Sequence, residues 1–137
     1  MVNFIVVTHG EFGAYLIEAA ESIVGEQPEG VRSIAISPRH TLEEVRERFR
    51  GTLEELKGEG GVIVVSDMPG GTPTNVALPL LKDLDWAEMV SGLNLYMLVV
   101  GFTRRREKGA RELAREMADA GQRSVRDLKA FLAAGRR

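Results

Sequence analysis

The sequence predicts an α/β fold: an open four-stranded parallel sheet with helices on both faces. Short apolar runs rich in β-branched residues recur along the chain without polar alternation, as strands buried on both faces require. Stripes of apolar residues three and four apart, the mark of helices with one buried side, stand between these runs. The connections leave no room for hairpins, so successive strands run in parallel.

Taken in order, "VNFIVV" (Val2–Val7) is the first strand. After "THG", apolar positions at Phe12, Tyr15, Leu16, Ala19, Ala20 and Ile23 draw a helical stripe that ends near Gly25. "VRSIAI" (Val31–Ile36) is the second strand. Thr41 and Glu44 have the spacing of a capping box, and the helix they start buries Leu42, Val45, Phe49, Leu53 and Leu56. The third strand is "VIVVSD" (Val62–Asp67), followed by the loop "MPGGTP" and a helix through Leu81. Pro73 fits the first turn of that helix, where its missing N–H costs nothing, and Pro79 should kink or shorten it. "EMVSGL" (Glu88–Leu93) reads as the fourth strand. "NLYMLVVGFT" is apolar enough for a strand, yet Asn94 could cap a helix. Residues 106–119 carry an amphipathic helix that Gly121 should end, and "RSVRDL" is a short last segment, strand or helix.

Composition narrows the chemistry. The 137 residues show no linker, repeat or low-complexity stretch, so one domain over 1–137 is expected. There is no cysteine, which excludes disulfides, zinc–thiolate sites and cysteine nucleophiles and fits a reducing, cytoplasmic location. No apolar run approaches the roughly 20 residues of a membrane-spanning helix, and "MVNFIVV" lacks the positive start of a signal peptide. Residues 1–100 hold 7 basic and 15 acidic side chains, whereas residues 101–137 hold 11 and 5. The basic residues of the tail interleave with acids at helical spacing and have no aromatic platform beside them, so the tail reads as a solvated helix face. Nucleic acid is not an expected partner. The acidic body suits a basic protein surface instead.

In an open parallel sheet ligands sit beyond the carboxyl ends of the strands, near the point where the strand order reverses. The first strand delivers Thr8-His9-Gly10 there, and the third delivers Ser66-Asp67. If the two strands are neighbours, Asp67 holds one nitrogen of the His9 ring and leaves the lone pair of the other free to attack. Gly70, Gly71 and Thr72 follow, where a helix begins and backbone N–H groups converge on an anion. The helix after Gly10 offers a second such end. A nucleophile, an orienting group and an anion cradle together point to phosphoryl transfer through a phosphohistidine. His40, among charged residues just before the Thr41 cap, reads as solvated. No spacing of Asp, Glu and His suggests a metal site, and neither "GEGG" nor "PGG" makes a nucleotide-binding loop, so no metal and no cofactor are expected.

At these residues the chain resembles the EIIA component of the mannose/fructose/sorbose family of the phosphoenolpyruvate-dependent sugar phosphotransferase system. The stretches that carry the resemblance are "VVTHGEFG", "SIVGEQ", "DMPGGTPTN", "MVSGLNLYML" and "AGQRSV", spread over nearly the whole chain. The resemblance implies that His9 is phosphorylated, that Asp67 orients it, and that Gly10, Gly70, Gly71 and Thr72 line the phosphate position. It implies that "NLYMLVVGFT" begins a helix and that a short C-terminal strand, about Arg123–Leu128, is exchanged in a homodimer. The implied partners are HPr, as phosphoryl donor, and an EIIB domain on a separate polypeptide, as acceptor. Contact with a membrane transporter would then be peripheral, through those partners. One position departs from the family pattern: Pro69 stands where a large aromatic residue usually precedes the glycines.

Other readings of the same residues are the phosphotransfer subunit of dihydroxyacetone kinase, which resembles this fold and also carries a histidine at the first strand, and a regulatory phosphoprotein without a transport role. A histidine phosphatase, suggested by "THGE", fits poorly because Thr8 stands where that family's phosphate-binding arginine belongs.

Overall fold

A computed structural model describes residues 1–135 of the chain. Four strands, β1 (Asn3–His9), β2 (Val31–Ile36), β3 (Val62–Ser66) and β4 (Ala87–Val90), form one sheet in the order β2-β1-β3-β4, every pairing parallel. Between and after them lie α1 (Phe12–Val24), α2 (Leu42–Leu56), α3 (Gly71–Leu81), α4 (Leu95–Arg104), α5 (Ala110–Arg123) and α6 (Leu128–Ala133). The predicted sheet and its flanking helices are therefore present. From β1 the chain steps outward to β2, then returns across β1 to β3 and on to β4. The strand order thus reverses between β1 and β3.

Successive strand residues point to opposite faces, and this sorts the core into two layers. Ile5 and Val7 of β1 join Val62 and Val64 of β3 beneath α2 and α3, where Phe49 is the largest buried side chain. Phe4 and Val6 join Ile63 and Val65 beneath α1, α4 and α5, around Leu98, Leu113 and Met117. Phe4 meets Phe102 of α4 edge to face at 5.5 Å between ring centroids, a favoured aromatic geometry.

Most element ends fall where sequence chemistry puts them. Gly25 closes α1 at φ 103°, and Thr41 and Glu44 form the complete capping box of α2. Asn94 caps α4 by accepting from the Met97 amide, so the ambiguous segment is a helix, as the resemblance implied. Pro73 sits in the first turn of α3, and that helix ends at Leu81, two residues beyond Pro79.

Several boundaries differ from expectation: β1 runs from Asn3 to His9 rather than Val2 to Val7, β3 ends at Ser66 rather than Asp67, and β4 starts at Ala87. β4 stops at Val90, earlier than Leu93. The amphipathic helix begins at Ala110, not 106, and runs to Arg123. Gly121 does not end it: the residue is buried inside α5, and a side chain there would meet the Met97 methyl at 2.7 Å. Close packing of α5 on α4 uses that glycine, and Ser124 closes the helix by returning its amide to Ala120 and Gly121.

The region expected as a C-terminal strand, 123–128, is not a strand in the single chain. It holds the end of α5, a few residues in no regular element, and the start of α6, which Asp127 caps through the Ala130 amide. A strand must find partners for its backbone groups, and among the described residues the sheet holds four strands, none of them from this segment. The local Asp-x-x-Ala cap favours a helical turn instead. Among the described residues, no helix is long and apolar enough to cross a membrane.

Candidate functional site

The carboxyl ends of β1 and β3 are adjacent, with Val7 paired to Ser66. His9 and Asp67 therefore leave the sheet side by side. The Asp67 Oδ2 accepts from the His9 backbone amide at 2.9 Å and lies 2.9 Å from His9 Nδ1. The two ends of the contact differ in exposure: the His9 side chain is 47% exposed and that of Asp67 only 9%. A buried, anchored carboxylate thus holds an imidazole whose far edge is open.

Charge and tautomer follow from that contact. Burial opposes the charged form of Asp67, but the hydrogen bonds from the His9 amide and ring outweigh it and hold the carboxyl below its ordinary value. An ionised carboxylate can only accept, so Nδ1 carries the proton. In the neutral ring Nε2 is then left with its lone pair. The second carboxylate oxygen, Oδ1, is buried with no hydrogen-bond partner among the described residues.

The loop after β3 is pinned from beneath. The Met68 carbonyl accepts from the Ser66 hydroxyl at 3.0 Å and from the Thr74 hydroxyl at 2.9 Å. That fixes Met68 while Asp67 turns toward His9. Gly70 is the N-cap of α3 and offers no side chain to it, so the first amides of the helix, at Gly71 and Thr72, have no partner among the described residues and are open to a ligand. Gly71 has φ +83°, and a Cβ there would stand 3.4 Å from both Cε1 and Nε2 of His9. The open nitrogen of the ring therefore faces the start of α3.

The turn after β1 is equally fixed. Gly10 donates its amide to the Ile36 carbonyl at 2.8 Å and has φ +71°. The buried Thr8 hydroxyl donates to the Gly10 carbonyl and accepts from the Gly13 amide. Gly13 allows this close approach, since a Cβ would stand 2.9 Å from that hydroxyl. This arrangement corrects one expectation. The start of α1 does not offer a second free anion site, because Thr8 occupies the Gly13 amide and the acidic Glu11 is the N-cap.

The structure thus brings together His9, Asp67, Gly10, Gly71 and Thr72, with Gly70 one step behind as the cap. A cavity of about 450 Å³ opens beside His9, bordered by Thr72, Ile36, Pro38, Leu42 and His40. Sequence reasoning missed His40. It is exposed, as expected, but it stands at this cavity, four residues beyond the end of β2, whose Ile36 lies opposite His9. Only knowing that β2 lies beside β1 could have revealed it.

Comparison with known proteins fits this geometry. Residues 3–125 match the family EIIA-man, described as "PTS system fructose IIA component". The chain is 31% identical over 130 residues to the PTS system mannose-specific EIIAB component of Escherichia coli K12, covering 94% of this chain and 40% of that protein. It is 24% identical over 124 residues to the PTS system fructose-specific EIIA component of Bacillus subtilis 168, covering 90% of this chain and 84% of that one. The crystal structure of a PTS IIA protein associated with the fucose utilization operon of Streptococcus pneumoniae superposes with a TM-score of 0.86 at 31% identity, covering 96% of each chain.

Proposed function

From the premise that the chain belongs to the EIIA-man family of sugar phosphotransferase components, we propose that it is a phosphocarrier that accepts a phosphoryl group on His9 Nε2 from phospho-HPr and passes it to an EIIB domain. The observation that carries this reading is the Asp67 contact to Nδ1, which leaves Nε2 of a half-exposed ring as the nucleophile. The Nε2 lone pair forms the new N–P bond as the donor's N–P bond breaks, and the electron pair of that bond returns to the donor nitrogen. Nδ1 keeps its proton. The phosphorylated ring is then an imidazolium whose charge the Asp67 carboxylate balances. The free amides at Gly71 and Thr72 face the phosphoryl oxygens. Gly10 leaves the near side open, with nothing within 4 Å of where its Cβ would be.

Partner docking needs a rim that excludes water. Met68 and Leu42 expose apolar side chains beside the site, and Pro69 gives the loop an apolar but smaller surface than the usual aromatic. The chain also acts as a homodimer in this proposal. Val125 and Leu128 are 80% and 67% exposed in a C-terminal segment where α6 buries no side chain of its own, so a second copy has apolar surface to cover.

The test is incubation with enzyme I, HPr and radiolabelled phosphoenolpyruvate. Acid-labile, base-stable label on the wild type, absent from His9→Ala, supports the proposal. No label, or equal label on both, contradicts it.

A further inference from the structure

The second histidine of the chain is set beside the first by more than chance exposure. β2 ends at Ile36, and the turn after it is tied down: the His40 amide donates to the Ser37 carbonyl at 3.2 Å and the Arg39 amide to the Ser37 hydroxyl at 3.3 Å. Thr41, the next residue, opens the complete capping box of α2. His40 is therefore held between a strand end in register with His9 and a capped helix. Its side chain borders two cavities that share Gly10. One is the space beside His9. The other, about 590 Å³, is lined by Arg39, Arg48 and Glu11 as well as His40. His9 lines the first of these cavities and not the second.

We propose that His40 is a positioning residue for the phosphoryl group: from the cavity that His9 and Thr72 also line, its ring donates a hydrogen bond to the phosphate carried between the donor and His9 Nε2. This rests on the phosphocarrier reading above and names a residue that the His9–Asp67–glycine constellation does not include. A phosphoryl group brings close to two negative charges to a cavity that, among the described residues, no arginine or lysine lines. The groups that face it are Ser37 and Arg39 on its own turn, Glu44 and Arg48 from α2, Glu11 from the turn after β1, and His9 itself.

The test uses the full chain, whose two histidines make the imidazole ¹⁵N spectrum simple to assign. Spectra at pH 7 are compared before and after phosphorylation by phospho-HPr, alongside transfer rates for wild type, His40→Ala and His40→Lys. The proposal expects the His40 ring nitrogen signals to shift when His9 is phosphorylated. It expects His40→Ala to slow transfer about tenfold, the scale of one lost charge-assisted contact, with the final extent of labelling unchanged. His40→Lys, which restores a donor, should recover most of the rate. A His40 ring whose signals do not move in the phosphorylated protein overturns the proposal while leaving the phosphocarrier reading intact. So does a His40→Ala rate equal to wild type, or a loss that lysine does not recover. Absence of phosphate on His9 in the wild type overturns both.

Discussion

At the scale of single residues, the proposed phosphocarrier rests on the contact of Asp67 with His9 Nδ1. Asp67→Asn keeps the shape but can present an amide N–H to Nδ1, which favours the tautomer with its proton on the wrong nitrogen. Phosphorylation of that variant by phospho-HPr should be about a hundredfold slower or worse, the scale on which a misassigned imidazole tautomer acts. The same contact predicts a pH effect. Because the folded carboxyl lies below its ordinary value of 3.8, its contribution to stability is present above that pH and lost as pH falls through the lower folded value. Urea denaturation from pH 7 downward should therefore show the gap between wild type and Asp67→Asn closing below about pH 3.8. Gly71 gives an independent check. Alanine there must adopt a left-handed φ at a cost of about 1–2 kcal/mol, and its Cβ crowds the ring at 3.4 Å. Gly71→Ala should lose that much stability in urea and lose labelling by more than the unfolded fraction explains. His9, Asp67 and the glycines were legible in the sequence because each ends or follows a strand. His40 was not, because its relevance comes from which strand lies beside which.

At the scale of elements, boundaries set by local chemistry were legible and those set by packing were not. The capping box of α2 is written in four consecutive residues, Thr41 to Glu44, and the structure forms both of its hydrogen bonds. Thr41→Ala should cost about 1 kcal/mol in urea denaturation. Gly121 misled for the opposite reason. A glycine near a helix end suggests a stop, but here α5 needs it to approach α4, a contact between residues 24 apart in sequence. Arg105 is another long-range feature that no local pattern announces. It is 3% exposed, donates to the Val2 and Gly30 carbonyls and reaches Asn3 and Gln27, so one side chain ties the starts of β1 and β2 to the end of α4. Arg105→Met retains much of the stem but takes a donor from the Val2 carbonyl, whereas the Gly30 carbonyl keeps the Phe4 amide at 2.8 Å. It should cost about 1–3 kcal/mol, the scale of one buried acceptor left unpaired. The site lies at the opposite ends of the strands, so labelling of His9 in the folded fraction should be unchanged.

At the scale of the whole molecule, the parallel order β2-β1-β3-β4 is what turns separate strand ends into a site. Alternation of strands and helices made the parallel sheet legible, whereas the strand order was not, and the sequence argument could only make the meeting of His9 and Asp67 conditional on it. The basic tail also finds its explanation in three dimensions. Arg104 pairs with Glu116 and Lys108 with Glu112 along or between the last helices, and Arg111 reaches Glu88 of β4. The C-terminal segment, apolar and uncovered, belongs to the proposed dimer: light scattering should give a dimer for the full chain and a monomer for the double variant Leu128→Glu, Leu132→Glu. The central claim, however, is that Asp67 fixes which nitrogen of His9 reacts. Imidazole ¹⁵N and ³¹P spectra of the chain phosphorylated by phospho-HPr address it directly. The structure predicts one phosphate, on Nε2 of His9, with Nδ1 still protonated. Phosphate on Nδ1, or on a residue other than His9, would contradict the account.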